Sequence, residues 1–303
     1  MQSEELQSQT TAPAQPRKRP WPGWRTLLRR KPLGAISALI LCGLIATAVL
    51  APVIAPYDPY RFNLNERGLP IRLHPPNAKF LFGTDTHGRD VLSRIIYGAR
   101  VSLMVGFLSV AIGTLAGTLI GLVSGYWEGS IDQGLQRLVD TLMAFPGIVL
   151  ALAVLSVFGQ SLPNIILVIG LVIAPGASRV VRGTVLSVKH NIYIDAARAA
   201  GASSWRILLW HILPNVFAPI LIIASVWLGN AIVIEAALSF LGLGTPPPTP
   251  TWGGMLSGEG RRSLETAPYL AIFPGLAISI VVLAFNMFGD AVRDLLDPRL
   301  RTR

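Results

Sequence analysis

The stretch Leu81-Phe-Gly-Thr-Asp-Thr-His-Gly-Arg-Asp-Val-Leu-Ser-Arg94 sets Asp85, His87 and Asp90 close together, and carboxylates with imidazole are usual ligands of a metal or groups of a hydrolytic site. The rest of the chain gives such a site little support. It has four His (His74, His87, His190 and His211) and one Cys, Cys42, so no multi-cysteine metal site or intrachain disulfide can form. The same residues also have a structural reading: Gly83 and Gly88 shape turns, Asp85 caps one, Arg89 sits within the loop, and Asp90 pairs with Arg94 on a helix. A second candidate is Glu235, which lies inside an apolar run near Asn230 and Ser239. Burying a charge at mid-bilayer costs about 2.5–3.5 kcal/mol on insertion scales. Glu235 therefore either faces a pore and meets cargo, or bonds to Ser239 and nearby backbone close to the outer interface. Asn286, in the last apolar run, either joins the same pore or holds helices together.

A third set of residues offers recognition rather than catalysis. Asp195-Ala-Ala-Arg-Ala-Ala-Gly-Ala-Ser-Ser is followed by Trp205 to His211 and by Leu213-Pro214-Asn215. Asn191 can cap a first short helix, Asp195 and Arg198 can pair three residues apart, and Gly201 can end the turn in a left-handed conformation. Ser203 or Ser204 then caps a second helix that runs to Pro214. Ala196, Ala197, Ala199, Ala200 and Gly201 carry almost no side-chain bulk, so another surface can approach this backbone closely. A bilayer-embedded chain has little reason to place such a hairpin between two spans unless a partner grips it.

The elements that position these residues are membrane helices. The chain is 51% hydrophobic and 14% charged, with mean hydropathy +0.53, whereas a soluble domain carries roughly a quarter charged residues. A span needs about 20 mainly apolar residues, and six runs qualify: 35–55, 101–126, 142–158, 162–178, 216–240 and 267–289. The third and fourth are short and interrupted by Pro146-Gly147 and Pro175-Gly176, which membrane helices tolerate where neighbouring protein re-satisfies the backbone. The expected fold is all-α with six transmembrane helices. With the N-terminus inside, 17 of the 26 Lys and Arg fall on the cytoplasmic side, although seven of the other nine crowd residues 57–100. That orientation puts both termini and the hairpin in the cytoplasm.

Residues 1–33 read as a basic, polar tail in which Trp21 and Trp24 anchor at the interface, and residues 34–56 as an uncleaved first span too long for a cleaved signal. An outer loop over 57–100, a five-helix core over 101–290 enclosing the hairpin at 184–214, and a short cytoplasmic tail over 291–303 complete the organisation. Cys42 follows Ile40-Leu41, unlike a lipoprotein cysteine, and reads as a plain buried thiol. The net charge of +10 is explained by cations flanking spans near anionic headgroups rather than by nucleic acid. Asp140 and Asp290 sit at inner span ends, where hydrated or Arg-paired roles are expected. The run Pro246-Pro-Pro-Thr-Pro250 with Trp252 makes a stiff outer loop, either a spacer with an interfacial anchor or a contact for an outer protein.

Four motifs resemble one family in order along the chain. The hairpin spacing resembles the EAA loop of permease subunits in binding-protein-dependent ABC importers, with Asp195 standing where that pattern usually has Glu. Gly83-Thr-Asp, Gly88-Arg-Asp-Val-Leu-Ser-Arg94 and Tyr97-Gly-Ala-Arg100 resemble the dipeptide/oligopeptide permease family, in the subunit type with a long loop after its first span. Ala237-Leu-Ser-Phe-Leu-Gly-Leu-Gly-Thr-Pro-Pro-Pro-Thr-Pro-Thr-Trp-Gly253 is a third match, and Phe273-Pro-Gly-Leu-Ala277 through Leu296-Asp-Pro-Arg-Leu300 a fourth.

The resemblance implies a type I ABC importer permease fold and an assembly of two permease subunits, two cytoplasmic ATPase subunits that bind ATP and Mg, and an extracytoplasmic solute-binding protein. It implies that Asp195, Ala196, Ala197, Arg198, Gly201, Ser203, Trp205 and Pro214 couple this chain to an ATPase. Di- or oligopeptides are the leading cargo, with nickel chelates, glutathione or antimicrobial peptides as alternatives. The residues agree on one point: no Gly-x-x-x-x-Gly-Lys-Ser/Thr loop occurs, so this chain does not bind nucleotide in that way and needs no cofactor of its own. An intramembrane enzyme would need convergent reactive groups at membrane depth, where the spans offer only Glu235 and scattered Ser and Thr. A scaffold would keep the docking surfaces without a pore.

Overall fold

The computed structural model describes residues 32–263 and 265–296. The expectations for Trp21, Trp24 and most of the basic tail, and for the chain beyond Leu296, lie outside the described residues. The helices in chain order are α1 (Pro32–Val49), α2 (Ala51–Ile54), α3 (Val91–Trp127), α4 (Gly129–Met143), α5 (Gly147–Phe158), α6 (Leu162–Lys189), α7 (Ile192–Ala199), α8 (Ser204–Arg206), α9 (Leu213–Phe240), α10 (Trp252–Leu256), α11 (Glu259–Arg262) and α12 (Tyr269–Leu296). Among the described residues, five helices are long and apolar enough to cross a membrane, and the bent pair α4 and α5 brings the number to six.

The pair α3 and α6 forms the spine. Gly113, Gly117, Gly121 and Gly125 repeat every four residues and so share one face of α3. A Cβ at these positions would fall 2.7 Å from Gly170 O, 2.5 Å from Ala174 O, 2.6 Å from Ser178 O and 2.9 Å from Val185 Cβ. The two backbones therefore touch over four turns, the small-residue packing that lets membrane helices associate without a hydrophobic driving force. On one side α9 closes against α3 and α6, then α12 against α9, and α1 lies across α12 and α3. Ile165, Ile169, Ile173, Leu155, Ala231 and Leu238 fill the centre. Large apolar residues such as Leu39, Val53, Leu115 and Leu283 remain exposed, as a lipid-facing surface requires.

Several boundaries differ from those drawn from hydropathy. The second span begins at Val91, not 101, because Asp90 caps it: its Oδ2 accepts from Ser93 N at 2.8 Å and from Ser93 Oγ at 2.7 Å. At 37 residues this helix is about 55 Å long, well beyond a hydrocarbon core of about 30 Å. The third span does not start within a single helix at 142. The chain turns by 90° between α4 and α5 at the break before Pro146-Gly147. The fourth runs on from 178 to Lys189 with Pro175 buried inside it. The last helix continues past 289 to Leu296, and α1 ends at Val49 with α2 turning away. Cys42 lies on the exposed side of α1 rather than buried.

Candidate functional site

The hairpin between α6 and α9 is the first candidate. Its turn is a Schellman motif: Ala202 N bonds Ala197 O at 3.0 Å and Gly201 N bonds Arg198 O at 2.9 Å, with Gly201 at φ +79°. Arg198 Nη1 lies 3.2 Å from Asp195 Oδ1, and Ser203 Oγ accepts from Arg206 N at 3.4 Å. Asn191 occupies the first N-cap position, but its side chain makes no capping bond there. Nor does the second helix stop at Pro214. It passes through a π-helical stretch, Ile207–Ile212, directly into α9, where Pro214 stands in the first turn. A proline is tolerated there because the wider turn and the helix start leave its missing N–H unneeded.

Ile194, Ile207, Leu208 and Ile212 are buried and seat the hairpin on Leu122, Tyr126, Val181 and Val185 at the ends of α3 and α6. A chain of rings continues the contact: Trp205 packs edge-on to Trp127 at 5.2 Å, and Trp127 to Tyr126 at 5.0 Å. The outward surface combines the small residues Ala196, Ala199, Ala200 and Gly201 with bulk that the motif did not indicate. Ile192 is 87% exposed and Trp210 76%, beside Tyr193, Trp205 and Leu209. Exposed aromatic and branched side chains on a rigid frame are what a protein interface uses as anchors.

Beside the hairpin, α4 is tied to α6 by ion pairs. Arg182 meets Asp132 through two bonds of 2.7 and 2.6 Å, Arg179 reaches Asp140 at 2.7 Å, and Lys189 bonds Glu128 at 2.7 Å and Tyr126 O at 2.6 Å. The hydrogen bond and charge of Lys189 hold the Glu128 carboxyl below the usual carboxylate range. Asp290 is exposed.

At the opposite end of α3 the loop from 55 to 90 folds into turns. Asp85 Oδ1 accepts from His87 N and Arg89 N, both at 2.9 Å, and its Oδ2 meets Arg89 Nε at 2.6 Å. Gly88, at φ +82°, packs against Ile71 N and Pro70. Asp90 and Arg94 do not pair as the helical spacing suggested. Asp90 spends its carboxylate on the cap, and Arg94 turns back to Asp85 at 3.6 Å and to Pro59 O at 3.1 Å. Burial pushes the Asp90 carboxyl above its ordinary range, against the Ser93 bonds. Tyr269 at the head of α12 bonds His74 O and Thr84 O, and Phe82 stacks on Phe273 at 4.0 Å, fastening the loop to the last span.

Glu235 is 1% exposed. Its Oε1 accepts from Ser239 Oγ at 2.8 Å, and Ser102 Oγ of α3 lies 3.5 Å from Oε2. Trp252 is buried, not interfacial: its indole N–H donates to Ile95 O at 3.0 Å, its backbone N to Ser102 Oγ at 3.4 Å, and its ring fills the space left by Gly98. Glu235 thus lies beneath the segment that carries Trp252 and is shut off from solvent. Asn230 and Asn286 are exposed, with Asn230 Nδ2 on Val226 O at 3.4 Å and Asn286 beside the close α9 and α12 contact at Gly229.

We expect Glu235→Gln to leave the amount and thermal midpoint of the assembled protein near parental, because an amide keeps an acceptor for Ser239. Glu235→Lys should lower both severely, since a buried cation without a partner costs several kcal/mol. Size-exclusion recovery and thermal unfolding in detergent distinguish them, and equal recovery of the two variants would contradict this placement.

The family described as binding-protein-dependent transport system inner membrane component matches residues 117–302, and the N-terminal TM domain of oligopeptide transport permease C matches residues 20–76. The chain is 43% identical over 279 residues to the glutathione transport system permease protein GsiD of Pectobacterium atrosepticum, covering 92% of this chain and 91% of that one. It is 41% identical over 283 residues to the dipeptide transport system permease protein DppC of Alkalihalophilus pseudofirmus, covering 93% and 91%. A solved structure of the MetNI methionine ABC transporter in inward-facing conformations shares the fold, with TM-score 0.55 and 18% identity over 67% of this chain and 96% of that chain.

Proposed function

The chain belongs to the inner membrane components of binding-protein-dependent transport systems and is a multi-pass ABC importer permease, and from that premise we propose that its cargo is a short peptide, a dipeptide or glutathione. The observation that carries this reading is the 41–43% identity over more than nine-tenths of the chain to permeases named for those two cargoes. Both are small peptides with free carboxylates. The proposed assembly joins this chain to a second permease subunit, two ATPase subunits that hold ATP and Mg, and an extracytoplasmic solute-binding protein. The chain contributes half of the pore in the cytoplasmic membrane and no nucleotide or metal site.

The proposed route of coupling is mechanical. An ATPase closing on nucleotide displaces the hairpin through Asp195, Ala196, Ala197, Arg198, Gly201, Ser203 and Trp205, with Pro214 at the entry to α9. Its buried isoleucines and the Trp205 to Trp127 contact press on the ends of α3 and α6. The glycine-packed pair has no slack between its backbones, so a push at one end moves α3 as a rod about 55 Å long. Its far end carries the loop from 55 to 90 and the seat of Trp252, where the outer mouth changes shape. Glu235, Asn230 and Asn286 are proposed to act at that mouth or gate by holding helix contacts.

This reading requires residues 57–90 outside and the hairpin, with both termini, in the cytoplasm. Single cysteines placed at Asn77 and His190 in a Cys42→Ser background test it with a membrane-impermeant thiol reagent. Position 77 should label in intact cells and position 190 only after permeabilisation. The reverse pattern overturns the orientation. Uptake of a labelled dipeptide and of labelled glutathione by the reconstituted complex then decides cargo, and uptake of neither rejects the peptide reading.

A further inference from the structure

A cleft of about 550 Å³ lies between the turn at residues 85–89 and the segment 242–260 that follows α9. Its volume is in the range of small-molecule sites, about 300–1,000 Å³. Among the described residues, the ionisable side chains that line it are Asp85, His87, Arg89 and Arg94. One carboxylate serves two guanidiniums, with Arg89 Nε at 2.6 Å and Arg94 Nε at 3.6 Å from Asp85 Oδ2, so these three side chains together carry one positive charge in excess. Arg89 is fixed on a second side, its Nη2 lying 3.0 Å from His87 Nδ1. Among the described residues Arg89 Nη1 has no protein acceptor.

A second observation comes from the opposite wall. Thr245 lines the cleft, and its hydroxyl oxygen is buried with no hydrogen-bond partner among the described residues. A buried hydroxyl without a partner is costly, and rotation of the Thr245 side chain toward an acceptor in the cleft would relieve that cost. Met255, Pro247, Pro248 and Leu270 supply apolar lining between the polar ends. The cleft therefore offers an oriented guanidinium, a donor hydroxyl and an apolar wall. Among the described residues it offers no unshared carboxylate for an ammonium, since Asp85 is already committed twice.

We propose that this cleft is a carboxylate-binding subsite for peptide cargo at the outer mouth, in which Arg89 binds the C-terminal carboxylate, Thr245 donates to it, and the apolar wall takes the terminal side chain. The subsite reads the C-terminus and is indifferent to the N-terminus. The inference rests on the peptide-importer reading and adds a point of recognition within the permease itself.

The test uses the permease and ATPase assembly in nanodiscs, without solute-binding protein, and measures binding of radiolabelled alanyl-phenylalanine and of its C-terminal amide. The free acid should bind the parent about tenfold more tightly than the amide, the scale expected for one charge-assisted pair. Arg89→Gln should erase that preference and Arg89→Lys restore part of it. Arg89→Gln also touches the Asp85 turn, so Thr245→Val, which leaves the turn intact, is the second variant and should weaken the free acid about threefold. N-acetylation of the dipeptide should change nothing. Equal binding of acid and amide to the parent, or unchanged binding in both variants, overturns the proposal. Uptake of the dipeptide by the complete parental system is measured in parallel: uptake without acid preference removes only this inference, whereas no uptake removes the peptide reading.

Discussion

Gly117→Val should reduce recoverable folded protein at least tenfold, while Gly183→Ala, on the same helix pair, should be recovered at the parental level. A Cβ at Gly117 would sit 2.5 Å from Ala174 O and 2.6 Å from Ala177 Cβ, both parts of a buried helix that cannot step aside locally. A carbon and a carbonyl oxygen settle at about 3.3–3.6 Å, so the helices would have to part by nearly 1 Å along the whole contact. Inserting bulk into a packed core typically costs about 1–3 kcal/mol at one site. Here the separation would also forfeit dispersion at Gly113, Gly121 and Gly125, against a total stability of the order of 5–15 kcal/mol. At Gly183 a Cβ meets nothing within 4 Å, and alanine in an exposed helical position gains up to about 1 kcal/mol over glycine. Yield of monodisperse protein and thermal midpoint in detergent provide the readout. Parental yield for the valine variant would show that α3 and α6 are not in backbone contact.

The glycine stripe explains both the reach and the limit of the sequence reading. Hydropathy located the membrane helices because a 20-residue apolar run has few other uses. It misplaced their ends because polar residues at helix termini are held by capping and ion pairs that carry no hydropathy signal. Asp90 begins α3 ten residues early by binding Ser93, and Arg179, Arg182 and Lys189 extend α6 on carboxylates from Asp132, Asp140 and Glu128. The four-residue glycine repeat also stands in the sequence, but the reading from hydropathy made no use of it; its period puts the four glycines on one helix face, and only the structure shows that α6 lies against that face.

The hairpin was legible where its chemistry is local. Gly201 at positive φ, the Asp195 to Arg198 pair and the Ser203 cap all follow from spacing of three or four residues. What spacing could not supply was long-range: that Trp205 lies on Trp127, that Ile194 and Ile207 share a core with Val181, and that Trp210 points outward. The same limit applies to Trp252. A tryptophan after a proline run resembles an interfacial anchor until Gly98, more than a hundred residues earlier, is seen to make room for its ring.

Gly201→Asp and Asp195→Lys should each leave a fully assembled complex whose cargo-stimulated ATP hydrolysis falls at least tenfold. The local cost of either change is small. Gly201 has open space around a built Cβ, so the substituted residue bears only the strain of the left-handed conformation, on the order of 1 kcal/mol. The Asp195 to Arg198 pair is solvent-exposed, with side chains 66% and 42% accessible, and such pairs contribute about 0–1 kcal/mol. Neither residue touches the buried seat formed by Ile194, Ile207, Leu208 and Ile212. A large functional loss therefore has to come from the outward face. Aspartate at 201 adds bulk and charge where the proposed ATPase contact meets bare backbone, and lysine at 195 reverses the charge at the head of the turn. Ile194→Ala supplies the contrast: emptying the seat should lower thermal stability by about 2–5 kcal/mol as well as coupling. The decisive measurement is ATP hydrolysis with and without loaded binding protein in proteoliposomes of equal complex content. If the two surface variants hydrolyse and transport at the parental rate, this hairpin does not couple the chain to its ATPase. If they lose stimulation while the complex stays intact, the face bearing Gly201 and Asp195 is the contact through which ATP hydrolysis drives the helices.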